Sequence, residues 1–145
     1  MERKTIRWGI LGAGDVCEVK SGPAFQRAER SELAAVMRRD SSKAQDFAQR
    51  HGVGKWYDSV PELLGDPEID AIYIATTPRD HLEHTRAALS AGKDVYLEKP
   101  MAMNVEECRQ IIEVEEQSDN KLVVAHYRRA LPAFTRIGEL IKNGT

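Results

Sequence analysis

The sequence is poor in the features that mark specialised protein classes. Its two cysteines, Cys17 and Cys108, fall in separate segments, with neither a disulfide framework nor a metal-like spacing. Its longest apolar stretches reach about six residues, against the roughly 20 that a membrane-spanning helix needs. No charge sign dominates: 21 Lys and Arg face 23 Asp and Glu, a formal net charge of −2. A basic field for nucleic acid is therefore absent, as is a polybasic run for a membrane surface. Met1-Glu2-Arg3-Lys4 has no apolar leader character. No His/Cys/Asp/Glu set has the spacing of metal ligands, and no Ser–His–Asp order is persuasive. The expectation is a cytoplasmic domain with no metal, no membrane and no nucleic-acid partner.

What the chain does have is alternation. At 145 residues, 41% hydrophobic and 30% charged, it is the size of one domain with a real core. Apolar runs at Thr5–Leu11, Glu32–Met37, Lys55–Tyr57, Ala71–Ala75, Val95–Leu97 and Leu122–Ala125 read as six strands. Segments of helical period separate them. A short helix starts near Val16 and is interrupted by Ser21-Gly22-Pro23. Ser42–His51 carries Ala44, Phe47 and Ala48 on one face and stops at Gly52. Ser59-Val60-Pro61-Glu62 has the form of a capping box. Asp80–Ala91 closes at Gly92. Asn104-Val105-Glu106-Glu107 caps a helix with Val105, Cys108, Ile111 and Ile112 inward. Pro132–Asn143 turns Phe134, Ile137, Leu140 and Ile141 inward. Strands apolar throughout imply a sheet covered on both faces, and intervening helices imply right-handed crossovers. The predicted fold is α/β, a doubly wound parallel sheet of the dinucleotide-binding (Rossmann) type over residues 1–145.

Gly12-Ala13-Gly14-Asp15-Val16-Cys17 leaves the first strand and enters a helix. The first glycine permits a tight turn, the second lets a pyrophosphate approach the backbone, and the helix N-terminus offers free N–H groups. Asp15 is expected to face away from phosphate. A glycine turn that binds nothing is the plain alternative, but this one sits in the strand–helix context that the chemistry requires. At the end of the second strand, Arg38 and Arg39 precede Asp40. Guanidinium groups suit a 2′-phosphate and hence NADP, while Asp40 in the ribose role would select NAD. Tyr96-Leu97-Glu98-Lys99-Pro100 closes the fifth strand. A lysine there can give a proton to a carbonyl under reduction, or it can be a surface charge.

Taken together, Gly12-x-Gly14, Tyr73-Ile74-Ala75-Thr76-Thr77-Pro78 with His81, and Gly92 through Lys99-Pro100-Met101-Ala102 closely resemble the glucose–fructose oxidoreductase/inositol dehydrogenase (Gfo/Idh/MocA) family, from about Ile6 to Arg129. The resemblance implies a nicotinamide-linked interconversion of alcohol and carbonyl on a sugar, cyclitol or related polyol. It places Gly12, Ala13, Gly14, Asp15 and Val16 around the pyrophosphate, and Arg38 and Arg39 by the adenosine ribose. Thr76, Thr77 and Pro78 line the cleft, in a chain that reads Ala75-Thr76-Thr77-Pro78 where the family commonly reads Ala-Thr-Pro. Glu98 meets the nicotinamide ribose, Lys99 is the substrate-side catalytic lysine, and the Lys99–Pro100 peptide is expected to be cis. His126-Tyr127-Arg128-Arg129 leads toward the substrate site. His81 either holds the cleft loop or caps the helix near Asp80; His51 and His84 read as helix-surface residues.

Members of that family carry a second α/β domain that supplies most substrate contacts. This chain ends at Lys142-Asn143-Gly144-Thr145, about where the crossing to such a domain would begin. Cofactor binding without efficient turnover is therefore expected, with self-association through the apolar face of the last helix. Three other readings compete. One is a catalytically inactive nucleotide-binding or sensing protein of the same fold. Another is a methyltransferase, for which Arg38 stands where an acidic group is wanted. A short-chain dehydrogenase is weaker still, because no Tyr-x-x-x-Lys occurs.

Overall fold

Ile6–Leu11 forms the first strand, β1, of a six-stranded sheet in the computed structural model, which describes residues 4–144. The others are β2 (Ser31–Met37), β3 (Lys55–Tyr57), β4 (Ala71–Ile74), β5 (Asp94–Leu97) and β6 (Leu122–Val124). Their order is β3-β2-β1-β4-β5-β6, every pair parallel. The direction of travel across the sheet reverses between β1 and β4, and ligands of such sheets gather at the carboxyl ends beside that reversal.

Successive strand residues point to opposite faces, and both faces are buried. Leu11, Met37, Ile72, Ile74 and Leu97 pack on one side with Leu63, Leu89 and Ile111. Ile10, Val36 and Tyr73 pack on the other with Ala13, Cys17, Phe47 and Ala48. The covering helices are α1 (Gly22–Arg27), α2 (Ser41–His51), α3 (Val60–Gly65), α4 (His81–Ser90) and α5 (Val105–Glu116), followed by α6 (Pro132–Lys142). No helix among the described residues is long and apolar enough to cross a membrane.

Four local expectations change. Ser21-Gly22-Pro23 does not interrupt the first helix. Cys17–Ser21 widens into a π turn, in which the Gly22 N–H reaches back five residues to the Cys17 carbonyl oxygen, and α1 continues from it. Gly22 permits this approach, since a Cβ there would lie 2.5 Å from that oxygen. Ser59 opens α3 without a side-chain cap, because Pro61 removes one of the two N–H groups such a cap would use. By contrast, the Asn104 side chain accepts the Glu107 N–H at 2.9 Å and caps α5 as its sequence implies. On α5, Ile111 is buried with Cys108 and Val114 beside it, while Val105 and Ile112 are exposed. The fourth change concerns α6, on which no residue is buried; Phe134, Ile137 and Ile141 stand exposed. Periodicity fixes which residues share a helix face, but not whether anything covers it.

The amino ends of the strands are stitched by charge. Asp70 accepts from Arg7 and Lys4 ahead of β4. Asp66, buried after α3, accepts from Lys55 Nζ, the Tyr57 hydroxyl and the Glu68 N–H, each at 2.8 Å. Burial alone would raise its carboxyl, but these donors outweigh burial and hold it down to about 2. A carboxylate depressed in the folded state stabilises fully above its ordinary pKa and loses that contribution as pH falls through the folded value. Asp66→Asn should therefore lower the unfolding free energy at pH 7 by about 1–3 kcal/mol. In urea melts, its gap to wild type should close between roughly pH 4 and 2; a gap that stays constant with pH would refute the ionic role.

Candidate functional site

The turn after β1 is shaped by two glycines with different duties. Gly12 has φ +90°, and a Cβ on it would lie 2.7 Å from Thr76 Cγ2 and 3.0 Å from the Thr76 nitrogen. The Gly12 and Ala13 N–H groups donate to the Met37 carbonyl at 3.0 and 3.1 Å, which latches the turn to the end of β2. Gly14 differs: a Cβ there would meet nothing nearer than the Gly12 carbonyl oxygen at 3.9 Å. Its bare Cα faces open space, so the protein's own packing does not demand a glycine.

A helix begins directly beyond. The Gly14 carbonyl accepts the Cys17 and Glu18 N–H groups, and the earlier N–H groups at Asp15 and Val16 have no acceptor within the helix. Asp15 is exposed. Cys17 fills the third small position; it is fully buried, and burial pushes its thiol up to about 12. It packs in the cluster with Ile10, Val36 and Phe47.

A cleft of about 660 Å³ lies over this turn. It brings together Gly12, Ala13, Gly14, Arg38, Arg39, Thr76 and Thr77. Asp40 also lines it, but its carboxylate is committed to the start of α2. It accepts the Ser42 hydroxyl at 2.6 Å and the Lys43 N–H at 3.2 Å, and these bonds hold it below its ordinary pKa. Arg38 and Arg39 make no side-chain hydrogen bond or ion pair among the described residues, and Lys43 adds a third cation to the same wall.

Thr77 donates to Asp80 at 2.8 Å, and Thr76 shares a 3.0 Å hydrogen bond with His84 Nδ1. His84 is therefore a cleft residue and not a helix-surface one; burial lowers its pKa and favours the neutral ring. Its signal in the sequence was its place one turn after His81 on the helix that opens behind Thr-Thr-Pro. His51 also leaves the surface, stacking on Phe47 with Nε2 2.6 Å from a Glu18 carboxylate oxygen. His81 is fully buried and holds the loops rather than capping α4. Its Nδ1 lies 3.0 Å from the Pro100 carbonyl oxygen and its Nε2 3.1 Å from that of Thr76.

The other predicted residues stand outside this wall. Pro78 opens the short turn before α4. At the end of β5, Glu98 is half-buried, accepting the Tyr73 hydroxyl at 2.7 Å and the Lys99 N–H at 2.8 Å. Lys99 is exposed, and the Lys99–Pro100 peptide is cis. The arrangement can hold an extended anionic ligand along the turn and offer it an acceptor carboxylate and a lysine at the far end.

A family model described as "Oxidoreductase family, NAD-binding Rossmann fold" (GFO_IDH_MocA) matches residues 6–126. Oxidoreductase P35 of Formosa agariphila is 50% identical over 94% of this chain and 42% of its own length. D-xylose 1-dehydrogenase (NADP(+)) of Hypocrea jecorina is 36% identical over 97% of this chain and 39% of its own. The crystal structure of scyllo-inositol dehydrogenase from Lactobacillus casei, with bound NAD(H) and scyllo-inositol, superposes with a TM-score of 0.88 at 24% identity. That match covers 97% of this chain and 42% of the solved one. The chain thus spans about two fifths of the length of the relatives it matches.

Proposed function

The chain belongs to the Gfo/Idh/MocA oxidoreductase family, and from that premise we propose that its dinucleotide cleft takes NADP and serves a sugar, cyclitol or related polyol as substrate. The observation that carries the NADP choice is the contrast at the end of β2. Asp40 caps α2 through one carboxylate oxygen and faces the Lys43 ammonium at 3.5 Å with the other, while two guanidinium groups are left uncommitted in the cleft wall. Planar guanidinium groups match a phosphate's oxygens, whereas an NAD site wants a free carboxylate there.

The residues present suit the cofactor along its length. The open space at Gly14 admits a pyrophosphate against the backbone; Asp15 and Val16 offer N–H groups to it, while Ala13 holds the turn beneath through its bond to Met37. Arg38 and Arg39 take the 2′-phosphate. Thr76 and Thr77 form the opposite wall, with Pro78 opening the turn beyond them and His81 behind. Glu98 accepts from the nicotinamide ribose. When bound, the nicotinamide ring supplies or receives the hydride. Lys99 gives a proton to the substrate oxygen in reduction and takes it back in oxidation. In this chain Lys99 is open to solvent, and hydride transfer requires water to be excluded. The 145 residues by themselves therefore bind cofactor without efficient turnover, a role that a purely nucleotide-sensing protein of this family would share.

Titration with NADPH and NADH in parallel tests this reading. NADPH should bind about 10–100-fold more tightly, since hydrogen bonds to a charged group contribute roughly 1.5–3 kcal/mol. Arg38→Ala should erase most of that preference. A preference for NADH would return the role to Asp40, and binding of neither would overturn the proposal.

A further inference from the structure

Tyr73 lies on the central strand β4 with its ring almost wholly buried, 1% exposed, between Phe25 at 5.3 Å and Tyr96 at 5.5 Å. A phenol so enclosed must find partners for its hydroxyl. Those partners form a directed chain. Ser21 Oγ donates to the Tyr73 oxygen at 2.8 Å, Tyr73 donates to Glu98 Oε1 at 2.7 Å, and Glu98 Oε2 accepts the Lys99 N–H at 2.8 Å. The first link depends on the widened turn Cys17–Ser21, which presents Ser21 at the buried end of the helix that follows the glycine turn. Burial and the neighbouring carboxylate both hold the phenol well above its ordinary pKa, so it remains a donor throughout the working pH range.

An ionised carboxylate has about four acceptor positions on its two oxygens. Tyr73 and the Lys99 N–H take one on each, leaving one on each free. Two free acceptors on a carboxylate clamped at both oxygens suit the adjacent pair of hydroxyls of a ribose. Without the phenol, the Lys99 N–H is the one hydrogen-bond partner left to the Glu98 carboxylate among the described residues, and Oε1 is unclamped.

We propose that Tyr73 is a positioning residue for the dinucleotide: its hydroxyl, itself oriented by Ser21, fixes the Glu98 carboxylate so that it receives the nicotinamide ribose. The proposal rests on the reading that Glu98 meets that ribose. It makes Tyr73 matter for one half of the cofactor only.

The test uses whichever dinucleotide the wild type binds more tightly, NADPH or NADH, and its adenine half, 2′,5′-ADP or AMP. Tyr73→Phe keeps the ring and removes only the hydroxyl. It should weaken the dinucleotide about 5–20-fold, less than a lost direct hydrogen bond to a charged group because Glu98 keeps the Lys99 N–H, and leave the adenine half within about twofold. Ser21→Ala should act in the same direction, by about two- to threefold, and supplies the test should Tyr73→Phe fail to fold. In a Glu98→Ala background, Tyr73→Phe should add nothing, because both act through one contact. Equal losses for the dinucleotide and its half would assign Tyr73 a structural role and overturn the proposal, as would unchanged dinucleotide affinity in both variants. Adenine-half binding with no gain from the nicotinamide half in wild type would instead remove the Glu98 reading beneath it.

Discussion

Gly14→Ala should keep the fold and lose the cofactor, whereas Gly12→Ala should damage both. The difference comes from what each missing Cβ faces. At Gly12 an added methyl group falls 2.7 Å from Thr76 Cγ2 and 3.0 Å from its nitrogen, and the φ of +90° is one that L-residues rarely adopt. Strain and overlap together should cost about 2–4 kcal/mol of stability. At Gly14 the nearest heavy atom would be 3.9 Å away and φ is not positive, so the protein has room for a methyl group. Alanine at a compatible position even stiffens the unfolded chain, worth about 0.4–1 kcal/mol in favour of the fold. Only a ligand drawn close to the backbone would meet that methyl group. The dinucleotide should bind about 30-fold or more weaker, roughly 2 kcal/mol. Thermal melts and NADPH titrations of both variants decide the matter. Wild-type affinity in Gly14→Ala would mean that no pyrophosphate lies on this turn.

Lys93→Met should be the most destabilising of the lysine replacements in the motif that runs from Gly92 to Pro100, and Lys99→Met should leave stability unchanged. Lys93 is 8% exposed, and its ammonium donates to the carbonyls of Asp66 at 2.8 Å and Ile69 at 2.7 Å. These two bonds close the connection between α3 and β4 over the amino end of the sheet. Methionine fills the same stem volume but leaves both carbonyls without their donor, at about 1–3 kcal/mol each. A total of about 2–6 kcal/mol is a large share of the roughly 5–15 kcal/mol that holds a typical protein folded. The Lys99 side chain is exposed and makes no hydrogen bond or ion pair among the described residues, so its loss should stay within about 0.5 kcal/mol. Urea midpoints of the two variants measure the contrast. Equal midpoints would show that Lys93 is not the buried fastening the geometry makes it.

That contrast also marks the limit of what the sequence discloses. Apolar runs separated by helical periods are enough to derive the parallel sheet, because burial on both faces leaves its mark in every strand. The glycine turn, the arginines after β2 and the threonines after β4 were legible as cleft residues because the carboxyl ends of β1, β2 and β4 meet in one place. Lys93 and Lys99 look alike in sequence, six positions apart; only the fold turns one inward at the start of β5 and leaves the other outside at its end. Tyr73 reads as one more strand aromatic, since its hydroxyl partners lie 52 and 25 positions away. Gly22-Pro23 reads as a break, since residue type reports that a helix is disturbed and not that it absorbs the disturbance in a wider turn. The stripe on α6 is visible as a stripe, while its exposure reflects that no described element covers that face, which no local pattern encodes.

The buried ring of His81 makes two loops into one part. One nitrogen faces the Thr76 carbonyl after β4 and the other the Pro100 carbonyl after β5, so the segment lining the cleft and the segment carrying Lys99 are braced against the same imidazole. Ordering a loop on association costs free energy that no contact in the complex returns. Here a side chain of the protein itself supplies much of that ordering, because both loops hang on the His81 ring. A ligand held between these two loops would meet a surface set in advance, and its binding energy would go into affinity instead of assembling its own site.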